Sequence, residues 1–456
     1  MTNLSNEYER ITGATSGSLD ETLYVDAGAG TGKTRALVRR IVSLVTHGAV
    51  KPENIAAITF TIAAASELRQ RVRAELEIRL DEARRDSNVQ GQAVFSSALT
   101  SIDSAFIGTI HSFAQSLLRE RPLDVGLPPV FELIDEVQGV ELFQQEWDEW
   151  LEDTLENPEF SNAVLAAQRH GLVTPFKNLR DLASEFHASY DLIQGMGLLA
   201  APTNSISAED SLLSIKADLS IALNLKEYCS NTDDLMFKML DAEVALTLSW
   251  IEQALDDGST EEQLLVLTQL PKFNATSGSQ KNWNLLASGD NSLREIKANL
   301  KAALTSISTA KAALGAGVVV SLVNSVAEMV TGYAEKRRKS GTLEFQDLLV
   351  LSCQLLTESA EARQYFQARY SHVLIDEFQD TDPLQLKLAI LLSDRAGSGV
   401  PNPGALFIVG DPKQSIYRFR RADLKQLKYL VDSLKAEPLS LSTNYRSRPE
   451  ILDWVN

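Results

Sequence analysis

Cysteine is almost missing from this chain: its 456 residues include two, Cys229 and Cys353. A disulfide framework is thereby excluded, and the pair fits a reducing, cytoplasmic setting. Histidine is nearly as scarce. The five present (His47, His111, His170, His187 and His372) are scattered and show no metal-ligand spacing with the cysteines, so no zinc-type site is expected. Positive charge is in deficit too: 43 Lys and Arg stand against 61 Asp and Glu, a formal net charge of −18. A surface that is a nucleic-acid footprint throughout is excluded; a local basic track on an acidic body is compatible with that balance. The N-terminus, Met1 to Gly13, lacks the apolar run of a signal peptide. One long apolar stretch exists, Ala312 to Val330. It contains Ser321, Asn324, Ser325 and Glu328 and is otherwise rich in Ala, Gly and Val. It is therefore read as a buried helix and not as a membrane span.

What is present is ordinary for a soluble globular protein, with 44% hydrophobic and 23% charged residues. The length allows about two to four domains and a large core. The two ends of the chain share a style that the middle lacks. Leu23-Tyr24-Val25 is a short apolar run leading into a Gly-rich turn, and a helical pattern follows from Lys33 to about Val45. Ile55-Ala56-Ala57-Ile58-Thr59-Phe60 reads as a second buried strand followed by a helix, and Phe106-Ile107-Gly108-Thr109-Ile110 as a third strand. Late in the chain, His372-Val373-Leu374-Ile375, Leu406-Phe407-Ile408-Val409 and Leu439-Ser440-Leu441 repeat the pattern. Strand–turn–helix alternation predicts an α/β fold with a parallel sheet. Between about 115 and 340 the pattern is helical and acidic, with looser segments at Ala201–Ser207 and Pro271–Asn291. The middle is therefore expected to be a large, mainly α-helical insertion within one α/β domain. That gives 1–114 and 341–456 as the two parts of the domain and 115–340 as the insertion.

The turn after the first strand is Ala27-Gly28-Ala29-Gly30-Thr31-Gly32-Lys33-Thr34. Small residues at a strand–helix junction let backbone N–H groups converge on phosphate oxygens. Lys33 is placed to reach the β- and γ-phosphates of ATP and Thr34 to put its hydroxyl on Mg²⁺. Val373-Leu374-Ile375 ends in Asp376-Glu377. Two carboxylates at the end of a buried strand need a reason, because burial without a partner is costly. Asp376 is expected to hold Mg²⁺ through water and Glu377 to orient and polarise the attacking water.

Other segments suggest contact with DNA. Gly410-Asp411-Pro412-Lys413-Gln414-Ser415-Ile416-Tyr417-Arg418-Phe419-Arg420-Arg421 interleaves aromatics and arginines directly after a strand. Aromatic faces stack on bases without sequence preference and arginines neutralise phosphates; Gln414 is placed to sense the γ-phosphate. Thr59-Phe60-Thr61 closes the second strand and Thr109-Ile110-His111-Ser112-Phe113 the third. Asn444-Tyr445-Arg446-Ser447 follows the last strand, with Arg446 a candidate γ-phosphate arginine and Tyr445 a candidate adenine-stacking ring.

Together these segments resemble the superfamily 1 helicases of the UvrD/Rep type, especially the RecB/AddA-like branch. The matching pieces are AGAGTGKT (27–34), TFTIAAASELRQRV (59–72), TIHSF (109–113), LIDEFQDTDPLQ (374–385), VGDPKQSIYRFRRAD (409–423) and NYRSRPEIL (444–452), in the family's order. GTLEFQDLL (341–349) looks like the family's lead-in to the acidic strand. The resemblance implies a RecA-like P-loop NTPase domain that uses ATP and Mg²⁺ and moves 3′ to 5′ on DNA in repair or recombination. Its candidate partners are DNA and nuclease or repair subunits, with no membrane. The resemblance places Lys33, Thr34, Asp376, Glu377, Gln414 and Arg446 at the ATP site. It puts Phe60, flanked by Thr59 and Thr61, with His111, Tyr417, Phe419 and Arg420 on single-stranded DNA. Three departures stand out. Asn6 to Thr12 has no Gln where the family reads adenine, Arg421 replaces a usual Gly, and the family's second motor domain is expected after Asn456. The chain is thus expected to be the N-terminal portion of a helicase. The alternative is a truncated ATP-binding switch or scaffold in a repair or defence complex.

Overall fold

The computed structural model describes residues 2–15, 17–47, 50–169, 174–200, 207–256, 258–414, 438–441 and 443–446. They form two compact units, one made of residues 1–139 and 335–456, the other of 140–334.

The first unit is built on a six-stranded sheet. Its strands are β1 (Leu23–Ala27), β2 (Ile55–Thr59), β3 (Phe106–Thr109), β6 (His372–Ile375), β7 (Leu406–Gly410) and β8 (Pro438–Leu441), in the order β3-β2-β6-β7-β1-β8. Every pairing is parallel. Parallel sheets are covered on both faces, so their strands read as continuous apolar runs; all five residues of β2 and of β7 are buried. The period of two then sorts side chains between two cores. Ala56, Ile58, Val373, Ile375, Leu406 and Ile408 pack with Phe113, Leu117, Leu348 and Leu355. Ile55, Ala57, Leu374, Phe407 and Val409 pack on the other face with Leu37, Ile41 and Leu68.

A smaller parallel ladder, β4 (Glu132–Leu133) with β5 (Thr342–Leu343), ties the chain just before it leaves this unit to the chain just after it returns. Glu132 and Ile134 donate their N–H groups to the carbonyls of Gly341 and Leu343 at 2.8 and 2.9 Å. Gly341 has φ +76°, and a Cβ there would lie 2.5 Å from Pro128 Cγ, so the close turn needs glycine. Beside it, the Arg337 guanidinium grips the Asp347 carboxylate with two bonds of 2.9 and 2.8 Å. Both side chains are 3% exposed, and the bidentate geometry is what makes so complete a burial tolerable.

A second buried cation has no acidic partner within bonding distance among the described residues. Arg40 donates to the carbonyls of Arg10, Ile11, Ser18 and Glu21 at 3.1–3.3 Å and stacks 4.7 Å from the centroid of Phe407. Burial pushes its pKa down to about 10. One side chain thus pins the segment leading into β1 against the helix Lys33–Thr46.

The second unit is helical. Ala208–Asn224, Ala245–Asp256 and much of Ser292–Ser340 enclose a core of Leu212, Ile215, Leu219, Leu240, Ile251 and Leu300. Asp234, itself buried, accepts from the N–H groups of Met236 and Ser279 and from the Asn282 amide. The apolar stretch 312–330 lies inside Ser292–Ser340, but the expectation of a buried helix needs correction. Only 28% of the helix's most apolar 18-residue window is buried. Apart from Val319, the exposed positions there are Ala312, Ala316, Gly317, Ser321 and Glu328, small or polar residues that put little apolar area into water.

Candidate functional site

The strand order makes β6, β7 and β1 neighbours, so three carboxyl-terminal strand ends share one edge. Ligands of open α/β sheets bind at such an edge. It gathers the phosphate loop after β1, the acidic pair after β6 and the Pro412–Gln414 turn after β7.

The loop leaves β1 at Ala27 and becomes the helix Lys33–Thr46 at Gly32. The Thr31 N–H and hydroxyl both donate to the Gly28 carbonyl, at 3.3 and 2.8 Å. The Asn444 amide donates to the Ala29 carbonyl at 3.1 Å and the Tyr445 N–H to the Gly30 carbonyl at 2.8 Å. Gly30 sits at φ +76°, and a Cβ there would lie 2.7 Å from that of Arg446, so only glycine admits the Asn444–Arg446 segment so close. Thr34 is half-buried at the start of the helix.

Lys33 Nζ reaches the Glu377 carboxylate at 2.7 Å and the Gln414 side-chain oxygen at 3.5 Å. Glu377 is one of two non-glycine residues among those described with positive φ, at +51°. That left-handed turn directly after β6 costs about 1–2 kcal/mol and swings the carboxylate towards Lys33. Asp376 remains laddered to the sheet, its N–H donating to Ile58, while its side chain accepts from the Glu377 N–H at 2.9 Å. Burial, reinforced by the charge of Glu377, pushes the Asp376 pKa up to about 6. The Glu377 N–H bond and the Lys33 charge oppose that rise.

Gln379 carries no role in the sequence motifs, yet it joins two of these segments. Its amide donates to Glu377 at 2.8 Å while its oxygen accepts from the Asp411 N–H at 2.8 Å, and it is buried. Asp411 then organises the next turn, accepting from the N–H groups of Lys413 and Gln414. The one sequence signal for Gln379 is a polar residue placed just past an acidic strand end.

The candidate DNA residues divide. Thr59 is buried with its hydroxyl on the Thr61 carbonyl, and Thr61 caps the helix Ile62–Arg85 by accepting from Ala64. Phe60 between them is 38% exposed. His111, at the start of the helix Ile110–Glu120, meets the ring of Phe345 edge-on at 5.7 Å. Phe345 is half exposed and adds an aromatic surface there; it belongs to the segment 341–349, to which the sequence reading gave no DNA role. Tyr417, Phe419, Arg420 and Arg421 lie outside the described residues. No cluster of three or more His, Cys, Asp or Glu suited to a metal occurs among the described residues; Thr34 and Asp376 supply one hydroxyl and one carboxylate, a donor set that suits Mg²⁺ completed by water and phosphate.

Known proteins are similar to this chain over nearly its whole length. The chain is similar to an ATP-dependent helicase/nuclease subunit from Clostridium botulinum, 28% identical over 483 residues. It is also similar to the proteins of the same name from Acetivibrio thermocellus, 28% over 511 residues, and Staphylococcus haemolyticus, 27% over 487. These alignments cover 96%, 99% and 95% of this chain, and the chain spans 38% of the length of each relative. The family described as the UvrD/REP helicase N-terminal domain matches residues 9–435. That match takes in five of the six strands of the sheet, the acidic strand end and the phosphate loop, and the chain belongs to the UvrD/REP helicase N-terminal domain family.

Proposed function

We propose that the chain binds ATP with Mg²⁺ at the edge formed by β1, β6 and β7, and that hydrolysis there drives DNA unwinding. The carrying observation is the meeting of Lys33, Glu377 and Gln414 from three separate strand ends. In this reading the loop Ala27–Thr34 cradles the phosphates, and Lys33 leaves Glu377 to pair with the β- and γ-phosphates. Thr34 and Asp376 hold Mg²⁺, which neutralises phosphate charge. Glu377 orients and polarises the attacking water, Gln414 senses the γ-phosphate, Arg446 stabilises charge developing on it, and Tyr445 stacks near adenine.

Single-stranded DNA is assigned to Phe60 with Thr59 and Thr61, to His111, and to Tyr417, Phe419 and Arg420. The helical unit is assigned as an accessory insertion to the motor. The name of the relatives, which couples helicase with nuclease, supports a role in DNA repair or recombination in company with nuclease or repair proteins. Movement is assigned 3′ to 5′.

ATP turnover measured with and without single-stranded DNA tests the reading, with Lys33→Ala as the control. Turnover raised by DNA and abolished in the variant supports it. Nucleotide binding without any turnover points instead to a switch. A wild-type chain that binds no nucleotide refutes both. Polarity is read separately on duplexes carrying a 3′ or a 5′ tail.

A further inference from the structure

A phosphate loop works by turning N–H groups inward, which obliges its carbonyls to face outward and find donors there. Here the outward donors are identified. Gly28 is served by Thr31 from within the loop, but Ala29 and Gly30 are served by Asn444 and Tyr445. These come from a distant segment of the chain, Asn444 and Ala29 being 415 positions apart. The same Asn444 side chain has a second bond. Its oxygen accepts the backbone N–H of Arg446 at 2.8 Å, closing a tight turn that sets the direction of the arginine. One amide group therefore holds the loop with its nitrogen and the arginine with its oxygen.

We infer that Asn444 is the positioning residue of the nucleotide site, fixing Arg446 and the phosphate loop as one body so that the arginine is registered against the γ-phosphate. The inference rests on the nucleotide reading above and deepens it. Asn suits the task because it supplies one donor and one acceptor on a short, two-torsion stem. Asp lacks the donor, and Ala lacks both.

The test measures affinity of the full chain for ADP and for a non-hydrolysable ATP analogue, taking their ratio as the signal of γ-phosphate contact. Asn444→Ala is expected to lower the wild-type preference for the analogue about tenfold, the scale of one lost hydrogen bond to a charged group. Arg446→Ala should lower it comparably. The double variant should lose little more than either single one, because the two act in series. Asn444→Asp keeps the bond to the Arg446 N–H, so it should weaken both nucleotides while retaining more preference than Asn444→Ala. An unchanged ratio in Asn444→Ala, multiplied losses in the double variant, or equal loss of preference in the Asp and Ala variants overturns the proposal. General damage to the fold would weaken both nucleotides equally and leave the ratio alone, which also counts against it. A wild-type chain without preference removes Arg446 from the γ-phosphate. One that binds neither nucleotide defeats the underlying reading, whereas normal preference with an indifferent Asn444 defeats this inference alone.

Discussion

Lys33 Nζ and Glu377 Oε2 lie 2.7 Å apart although 344 positions separate them in the chain. The pair sits where Lys33 is 10% and Glu377 36% exposed, so solvent screens it only partly. On the proposed reading, a phosphate arriving at the loop would compete with Glu377 for the same ammonium. The carboxylate would then keep Gln379 as a donor, at 2.8 Å in this structure. Binding of the anion and release of Glu377 would then be one exchange of partners.

Replacing Glu377 by Gln removes the charge and keeps the shape. Nucleotide affinity should be retained or slightly raised, since Lys33 loses a competitor. Turnover should fall by a factor of about 10²–10⁴, the usual worth of a general base. Equilibrium binding beside steady-state hydrolysis separates the two, and hydrolysis at the wild-type rate would remove Glu377 from the chemistry.

Phe60 is 38% exposed and is not among the core residues on either face of the sheet. Phe60→Ala should shift the unfolding midpoint little but weaken single-stranded DNA binding by about 1–3 kcal/mol, the scale of one base–aromatic stack. Fluorescence anisotropy with a labelled oligonucleotide reads the second effect. Loss of stability with unchanged DNA affinity would return the ring to a packing role.

Arg40→Met keeps the buried stem and deletes the donors to four carbonyls. The expected cost is about 2–4 kcal/mol, because buried acceptors are left without partners. Thermal unfolding measures it. A midpoint equal to the wild type's would mean that the carbonyls of Arg10, Ile11, Ser18 and Glu21 find other donors.

His372 gives a pH dependence with a definite sign. Burial, helped by the positive charges of Arg40 and Arg395, pushes its pKa down from 6.5 to about 4. The unfolded chain therefore binds the proton first as pH falls. Stability from this group is complete above about pH 6.5 and is lost as pH drops towards 4, by up to about 3 kcal/mol. Asp376 acts oppositely: its raised pKa makes the folded state the better proton binder, so its contribution falls as pH rises from about 4 to 6. Denaturant titrations of wild type and His372→Gln across pH 4–7 isolate the histidine. The variant's curve should be flatter, and parallel curves would sink the assignment.

Much of the sheet was legible because its signals are local. Leu23–Ala27, Ile55–Thr59 and His372–Ile375 are short apolar runs ending in turn or polar residues, and both faces of a parallel sheet demand such runs. The loop Gly28–Lys33 and the pair Asp376–Glu377 carry their chemistry within a few positions. What escaped depends on partners far away in the chain. Nothing near Gln379 announces that it will face Asp411, and nothing near Arg40 foretells a cage of carbonyls. Nor does Asn444 reveal that its amide will serve Ala29. Composition also misjudged 312–330, since a run of Ala, Gly and Val reads as apolar although such small side chains cost little when left in water.

The position of β1 has a consequence for how the protein is made. Its sheet neighbours are β7 and β8, the last two strands of this sheet in chain order. β2 and β3 can pair early, but the strand that carries the phosphate loop must wait through hundreds of residues for both of its edges. Pairings of such long separation are slow, because loop closure precedes any reward. The candidate nucleotide pocket is therefore among the last features of this sheet to set, and a nascent chain arrested before β7 would hold the loop's sequence without its shape.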